Sequence, residues 1–380
     1  MARRSASFPL GILGRYKIIL LLIFAVALFH IGFVYLFKTP SHLKARRPED
    51  VTSFSDVRVP VGYNESSLPV RAAFATVVRN SDLHELRAAI RQLEDRFNNR
   101  YHYPYVFLSD EPFTDEFKEA VAWTAKSKVS FGLIPRDHWE LPSWIDRQKM
   151  RDGMAYLTSK EVIHSESINY RQMTRYYSGF FYKHPLLANY EYYWRIEHDT
   201  EYTCDIPYDP FLYMKERGIH YGYTISLHEF EDTVKSLWGV VQDYLKTRPT
   251  ALQPQNTMDW VTNNGGQSYN LCHFWTNFEV VNLGLLRSPQ YEDFFQHVDK
   301  AGGIFYERWG DAPIRSIAMT MFLRKEQVHW FEDIGYSHSA FQNCPSDPEV
   351  QMRCHCNPSS SIHRNDFSCT RQWNQLPASY

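Results

Sequence analysis

Between residues 72 and 134 the chain alternates short apolar runs with amphipathic stretches, and this alternation restricts the fold more than any other feature. Residues 72–78 read as a buried strand. Arg79-Asn80-Ser81 then leads into a helix with Leu83, Leu86, Ile90, Leu93 and Phe97 on one face. Residues 105–108 form a second expected strand, 115–126 a second helix and 129–134 a third strand. Such an order predicts an α/β architecture with a parallel sheet of nucleotide-binding type. Farther along, 165–187 reads as helical, 192–197 as a strand and 211–217 as a helix. A strand over 220–226 and a helix over 230–245 follow. Residues 247–270 are rich in Pro, Gln, Asn and Gly and read as a long loop, either a lid or acceptor surface or a plain insertion.

The amino-terminal part is of another kind. Residues 18–37 carry no formal charge and span about 30 Å as a helix, the thickness of a bilayer core. Arg3, Arg4, Arg15 and Lys17 precede them with no acid among them. Positive flanks stay in the cytosol, so a single transmembrane anchor is expected with the bulk of the chain in the lumen. The expected organisation is a cytosolic tail (1–17), a signal anchor (18–37), a polar stem (38–69) and a lumenal catalytic domain (70–380). Asn64-Glu65-Ser66 is a glycosylation sequon that suits lumenal exposure. All six cysteines follow the apolar segment. An even count in an oxidising compartment favours disulfides over a zinc site around Cys354-His355-Cys356, although spacing does not reveal the pairing. The net charge of −2 and the lack of a basic stripe give no reason to propose nucleic acid as a partner.

Chemistry concentrates where Tyr192-Tyr193-Trp194-Arg195-Ile196 runs into Glu197-His198-Asp199-Thr200-Glu201. A strand ending in hard ligands places them at the carboxyl edge of the sheet, where α/β enzymes bind substrates. Glu197, Asp199 and Glu201 are either oxygen ligands for Mg²⁺ or Mn²⁺ or members of a solvated turn. Glu279 is a lone carboxylate entering an apolar strand, so it is either functional or neutralised by a basic neighbour. Asp311 precedes a helix expected over 314–322, and as an isolated residue it reads as an N-cap. His338 lies in an expected loop and carries little weight alone. Neither a Walker A loop nor a G-x-G-x-x-G fingerprint occurs in the sequence.

Longer motifs add to this reading. They are Tyr170-Arg171-Gln172-Met173, Arg175-Tyr176-Tyr177-Ser178-Gly179, Tyr192 to Glu197, Cys204-Asp205-Ile206, and Tyr208-Asp209-Pro210. Tyr269 to Trp275, Asn277-Phe278-Glu279, Tyr306 to Pro313, and Asp333-Ile334-Gly335-Tyr336 complete the set. In this order, over residues 70 to 356, the chain resembles the fungal α-1,2-mannosyltransferases of glycosyltransferase family 15. The resemblance implies a GT-A-like fold around a mainly parallel sheet, GDP-mannose as donor and Mn²⁺ as cofactor. It further implies transfer with retention to a mannose 2-hydroxyl of N- or O-linked glycans. Carried over by motif, Glu197 and His338 would ligate the metal, and Arg79 and Arg195 would contact donor phosphate or guanosine. Asp311 would hold donor hydroxyls. Glu279 would act near the anomeric carbon as nucleophile or charge stabiliser, with Tyr170 near the acceptor. A Golgi location and association with other Golgi transferases are also implied. Within the same fold, another sugar donor or a non-catalytic organising role are the alternatives. His198 departs from the family, which commonly has proline after the metal-binding glutamate.

Overall fold

The computed structural model describes residues 55–377. The expected tail, the anchor over 18–37 and most of the stem lie outside the described residues. Among those described, no helix is long and apolar enough to cross a membrane.

Strands β1 (Ser55–Arg58), β2 (Ala72–Val77), β3 (Tyr105–Ser109), β4 (Val129–Leu133) and β5 (Tyr192–Arg195) begin an eight-stranded sheet. After β6 (Thr200–Tyr202), β7 (Tyr221–Tyr223) rejoins it. Strands β8 (Ser226–His228), β9 (Thr262–Asn263), β10 (Ser268–Tyr269) and β11 (Cys272–Phe274) form two small ribbons. The main sheet is completed by β12 (Glu279–Asn282) and β13 (Val328–Trp330), while β14 (Tyr336–His338) and β15 (Phe341–Asn343) join β6. The strand order is β1-β4-β3-β2-β5-β12-β7-β13.

The expected parallel unit is present, because β4, β3, β2 and β5 pair in parallel. The whole sheet is mixed, however: β12 runs antiparallel to both β5 and β7, and β1 antiparallel to β4. Strand direction depends on the connection between strands, and a short apolar run does not encode it. Residues 55–58, read from sequence as stem, form the edge strand β1. The strand expected over 220–226 breaks at Thr224-Ile225 into β7 and β8, which belong to different sheets. A helix expected from 230 starts only at Leu237. The loop expected over 247–270 contains the β9–β10 hairpin, and Trp260 stacks on Phe274 at 4.2 Å.

Both faces of the sheet are covered, which explains why its strands read as continuous apolar runs. Side chains alternate across a strand. Ala72, Phe74, Tyr192 and Trp194 therefore join one core with the helices Leu83–Leu93 and Asp115–Thr124. Ala73, Ala75, Tyr193 and Val281 join the other, against the helices Ile168–Gly179, Pro289–Ala301 and Asp311–Phe322. Thr114 and Ser167 cap two of these helices through their hydroxyls, as the residue types favour.

The six cysteines form three disulfides, Cys204–Cys354, Cys272–Cys369 and Cys344–Cys356. This resolves the alternative of a zinc site in favour of disulfides, since none of the six thiols is free.

Two buried histidines give the fold an acid sensitivity. His329 sits against Tyr213 and Phe331, at 4.9 and 4.7 Å, and His363 packs on Trp330 at 4.9 Å. Burial pushes both imidazoles down to about 4. The unfolded chain takes up these protons near pH 6.5, whereas the folded chain resists them until about 4. Stability is therefore complete above pH 6.5 and falls as pH drops toward 4, by on the order of 2–3 kcal/mol per histidine. The urea midpoint should fall between pH 7 and pH 4.5, and His329→Phe should flatten that slope. An equally steep slope in the variant would remove His329 from the account.

Candidate functional site

The site is built on one face of the sheet. Alternation along β5 sends Tyr193 and Arg195 to the same side, and the antiparallel register of β12 sets Glu279 opposite position 195. The helix Asp311–Phe322 covers that face. Its residues 311 and 315 lie one turn apart, so both point at the sheet. Two oppositely charged pairs result: Asp311 meets Arg195, and Arg315 meets Glu279.

Arg195 is 4% exposed. Its Nε donates to Glu197 Oε1 at 2.6 Å and its Nη1 to Asp311 Oδ2 at 2.6 Å. The guanidinium lies 3.5 Å from the centroid of the Tyr177 ring. Tyr177 is itself fixed by accepting a hydrogen bond from the Val77 amide at 2.8 Å. Asp311 Oδ2 also accepts from Thr276 Oγ1 at 2.8 Å. Asp311 therefore is not the helix N-cap that its position suggested: Gly310 occupies that place, and the carboxylate turns inward.

Glu279 has no exposed surface. Tyr193 donates to its Oε1, and Arg315 Nε lies 3.4 Å from Oε2. Burial lifts the Glu279 carboxyl above its ordinary range, against the opposing pull of Arg315 and Arg195. Of its two sequence readings, neutralisation by a basic neighbour is directly visible. The i, i+4 spacing of Asp311 and Arg315 was the available signal for that neighbour.

His338 ends a strand and does not lie in a loop. It pairs with Thr200, whose hydroxyl donates to the Glu197 carbonyl at 2.9 Å. The His338 Nδ1 faces Asp199 Oδ1 at 3.1 Å, and its ring packs edge-on against Trp275 at 4.8 Å. Burial would raise the Asp199 carboxyl, but His338 and His198 outweigh it and hold the group below its usual range. Asp199 is thus a partner of His338 and more than a turn residue. Glu201 is the exposed centre of β6.

The remaining expected residues lie around this cluster. Arg79 follows β2 at the same carboxyl edge, half-exposed, with its Nε 3.7 Å from Asp110. Tyr170 stacks on His164 at 4.4 Å, with the Arg308 guanidinium 5.3 Å from its ring. Its hydroxyl is pushed up to about 12, chiefly by burial, so it remains a hydrogen-bond donor at neutral pH. Arg308 in turn lies 3.8 Å from Glu229, a pair that sequence reading missed. Asn64 is exposed, and its Oδ1 accepts from the Ser66 amide and hydroxyl.

A divalent cation fits the donor set at the end of β5. Glu197 commits Oε1 to Arg195, and its Oε2 accepts no hydrogen bond among the described residues. Asp199 Oδ1 faces the Nδ1 side of the His338 ring, which leaves Nε2 as the ring nitrogen available to a cation. Among the described residues no three carboxylate or imidazole donors converge here within 4.8 Å. One carboxylate and one imidazole suit Mg²⁺ or Mn²⁺ that shares its shell with phosphate oxygens.

A family profile described as glycolipid 2-alpha-mannosyltransferase matches residues 38–378. The chain is 46% identical over 309 residues to glycolipid 2-alpha-mannosyltransferase 1 of Candida albicans, covering 81% of this chain and 72% of that one. It is 44% identical over 300 residues to O-glycoside alpha-1,2-mannosyltransferase omh1 of Schizosaccharomyces pombe, 79% and 77% of the two chains. Among solved structures it is similar to the mannosyltransferase Ktr4p of S. cerevisiae in complex with GDP. That match has a TM-score of 0.78 and 37% identity, over 82% of this chain and 83% of that chain. The Mn/GDP-form of core-mannan synthase A from Aspergillus fumigatus matches with a TM-score of 0.74 and 36% identity, over 85% and 89% of the two chains.

Proposed function

Because this chain belongs to the glycolipid 2-alpha-mannosyltransferase family, we propose that it is an α-1,2-mannosyltransferase that uses GDP-mannose and retains configuration at the anomeric carbon. The acceptor is the 2-hydroxyl of a terminal mannose on an N- or O-linked glycan. The observation that carries this reading is the buried Arg195 held between Glu197 and Asp311 at the carboxyl edge of the sheet. That arrangement fixes three charged groups without mobile side chains, as preorganised electrostatic catalysis requires.

Glu197 and His338 would hold Mn²⁺, with Asp199 orienting the imidazole. A metal held there would supply Lewis-acid neutralisation of the diphosphate, making GDP a better leaving group. Arg195 holds the Glu197 carboxylate in place through its Nε, while Arg79 stands at the mouth of the same edge for phosphate or guanosine. Asp311 presents a carboxylate toward donor hydroxyls. Tyr170, held as a neutral phenol, donates toward the reaction centre. During transfer the bond from the anomeric carbon to the diphosphate oxygen breaks with its electron pair leaving on GDP, the acceptor 2-hydroxyl oxygen joins that carbon on the same face, and the hydroxyl proton passes to the departing phosphate oxygen. Full burial suits Glu279 to stabilising oxocarbenium-like charge better than to direct attack. The apolar segment 18–37 is the proposed anchor of a type II Golgi protein, with Asn64 glycosylated in the lumen. Association with other Golgi transferases belongs to the same proposal.

The full-length chain in detergent should transfer mannose from GDP-mannose to methyl α-mannoside in Mn²⁺, giving an α-1,2 linkage. Glu279→Gln should lower turnover by roughly 10³-fold with GDP binding intact, the size of effect typical for loss of a key electrostatic group. Absence of transfer with every divalent cation would overturn the reading, and near-normal turnover in the variant would remove Glu279 from the chemistry.

A further inference from the structure

A cleft of about 550 Å³ opens between the turn after His338 and the segment that follows Cys356. We propose that it is a subsite for the inner sugars of a mannose-chain acceptor, an assignment that rests on the mannosyltransferase reading above. Its size is that of an ordinary small-ligand site, and its lining is mostly polar: Ser359, Ser360, Arg364, Asn365 and Asp366, with Phe341 as an aromatic wall. Sugars call for this mixture, because each ring offers an apolar C–H face to an aromatic and a fringe of hydroxyls to donors and acceptors. Ser360, Arg364 and Asp366 line the cleft and are exposed, and among the described residues their side chains make no hydrogen bond or ion pair, so they are open to a ligand's hydroxyls.

The place of the cleft connects it to the reaction. Phe341 packs against Trp275 at 5.7 Å, and Trp275 against His338 at 4.8 Å, so one end abuts the expected metal ligand. At the other end, the Phe367 carbonyl accepts from the amide and Nδ1 of His228. The next residue is Glu229, which faces Arg308 beside Tyr170. The cleft thus lies between the donor side and the Tyr170 side, where a chain extending from the reacting mannose would run.

The wall is also rigid. Residues 357–368 are bracketed by Cys356 and Cys369, bound to Cys344 and Cys272. Phe341 also stacks on Phe367, the residue after Asp366 of the opposite wall, at 5.9 Å and 26°, which ties the two sides together. A wall pinned at both ends orders few new groups on binding, which favours affinity for a flexible oligosaccharide.

The test compares methyl α-mannoside with linear α-1,2-mannotriose, using the full-length chain in detergent. Two readouts are taken: KM for each acceptor, and mannotriose binding by titration calorimetry in the presence of GDP and Mn²⁺. In the wild type the trisaccharide should bind and show a KM about tenfold below that of the monosaccharide, a typical gain from a few added contacts. Arg364→Ala with Asp366→Ala should raise the trisaccharide KM to the monosaccharide value and abolish the calorimetric gain. The KM values for methyl α-mannoside and GDP-mannose should not change. Equal KM values for the two acceptors in the wild type, or a raised GDP-mannose KM in the variant, would overturn the subsite. If no acceptor is mannosylated but mannotriose binding still depends on Arg364 and Asp366, the activity reading fails and the subsite stands.

Discussion

Arg315→Met should destabilise the domain by about 3–5 kcal/mol, because it leaves the Glu279 charge buried without its partner. The arginine has no exposed surface. It donates to the Tyr291 hydroxyl at 2.7 Å and to the Tyr177 carbonyl at 2.8 Å, besides facing Glu279 at 3.4 Å. Methionine fills much of the same volume, so the loss reflects charge and hydrogen bonds more than packing. The double variant Arg315→Met with Glu279→Gln should recover much of the loss, since no unpaired charge remains. Urea midpoints of the three proteins measure this. A single variant as stable as the wild type would mean that Glu279 is neutral in the folded chain and that the pair contributes little.

Arg195→Lys should reduce turnover by roughly 10²–10³-fold, the range seen when one preorganised donor is lost. A guanidinium binds two carboxylates at once from a planar fork, as Nε and Nη1 do here with Glu197 and Asp311. An ammonium on a flexible stem holds one of them and loses the flat stacking on Tyr177. If Glu197 is the metal ligand, its loosening should also raise the Mn²⁺ concentration needed for half-maximal activity. Lysine at full activity with an unchanged Mn²⁺ requirement would show that Arg195 supplies charge alone.

Much of this site was readable residue by residue. The strand ending at Glu197 announced itself by its aromatic run and the acids after it. Glu279 stood out as a carboxylate in an apolar strand. His338 was harder, because its loop reading hid the strand that pairs it with Thr200, and Asp199 was undervalued for the same reason. Asp311 looked like a cap because Asp ahead of an apolar helix is a favoured N-cap residue. Only its inward orientation toward Arg195 and Thr276 shows otherwise. The Glu229–Arg308 pair spans 79 positions, and no local pattern signals it.

By itself the sequence determined the strands and helices of the parallel half, the residue types available for chemistry and the family resemblance. These follow from periodicity and side-chain type, which act over a few residues. Tertiary structure alone decided that β12 runs against its neighbours, that Glu279 faces Arg315, that Asp311 closes on Arg195 and which cysteines join. Periodicity assigns a side chain to a face, but its partner depends on which strand and which helix arrive opposite. That choice is made by burial of both sheet faces across the whole domain.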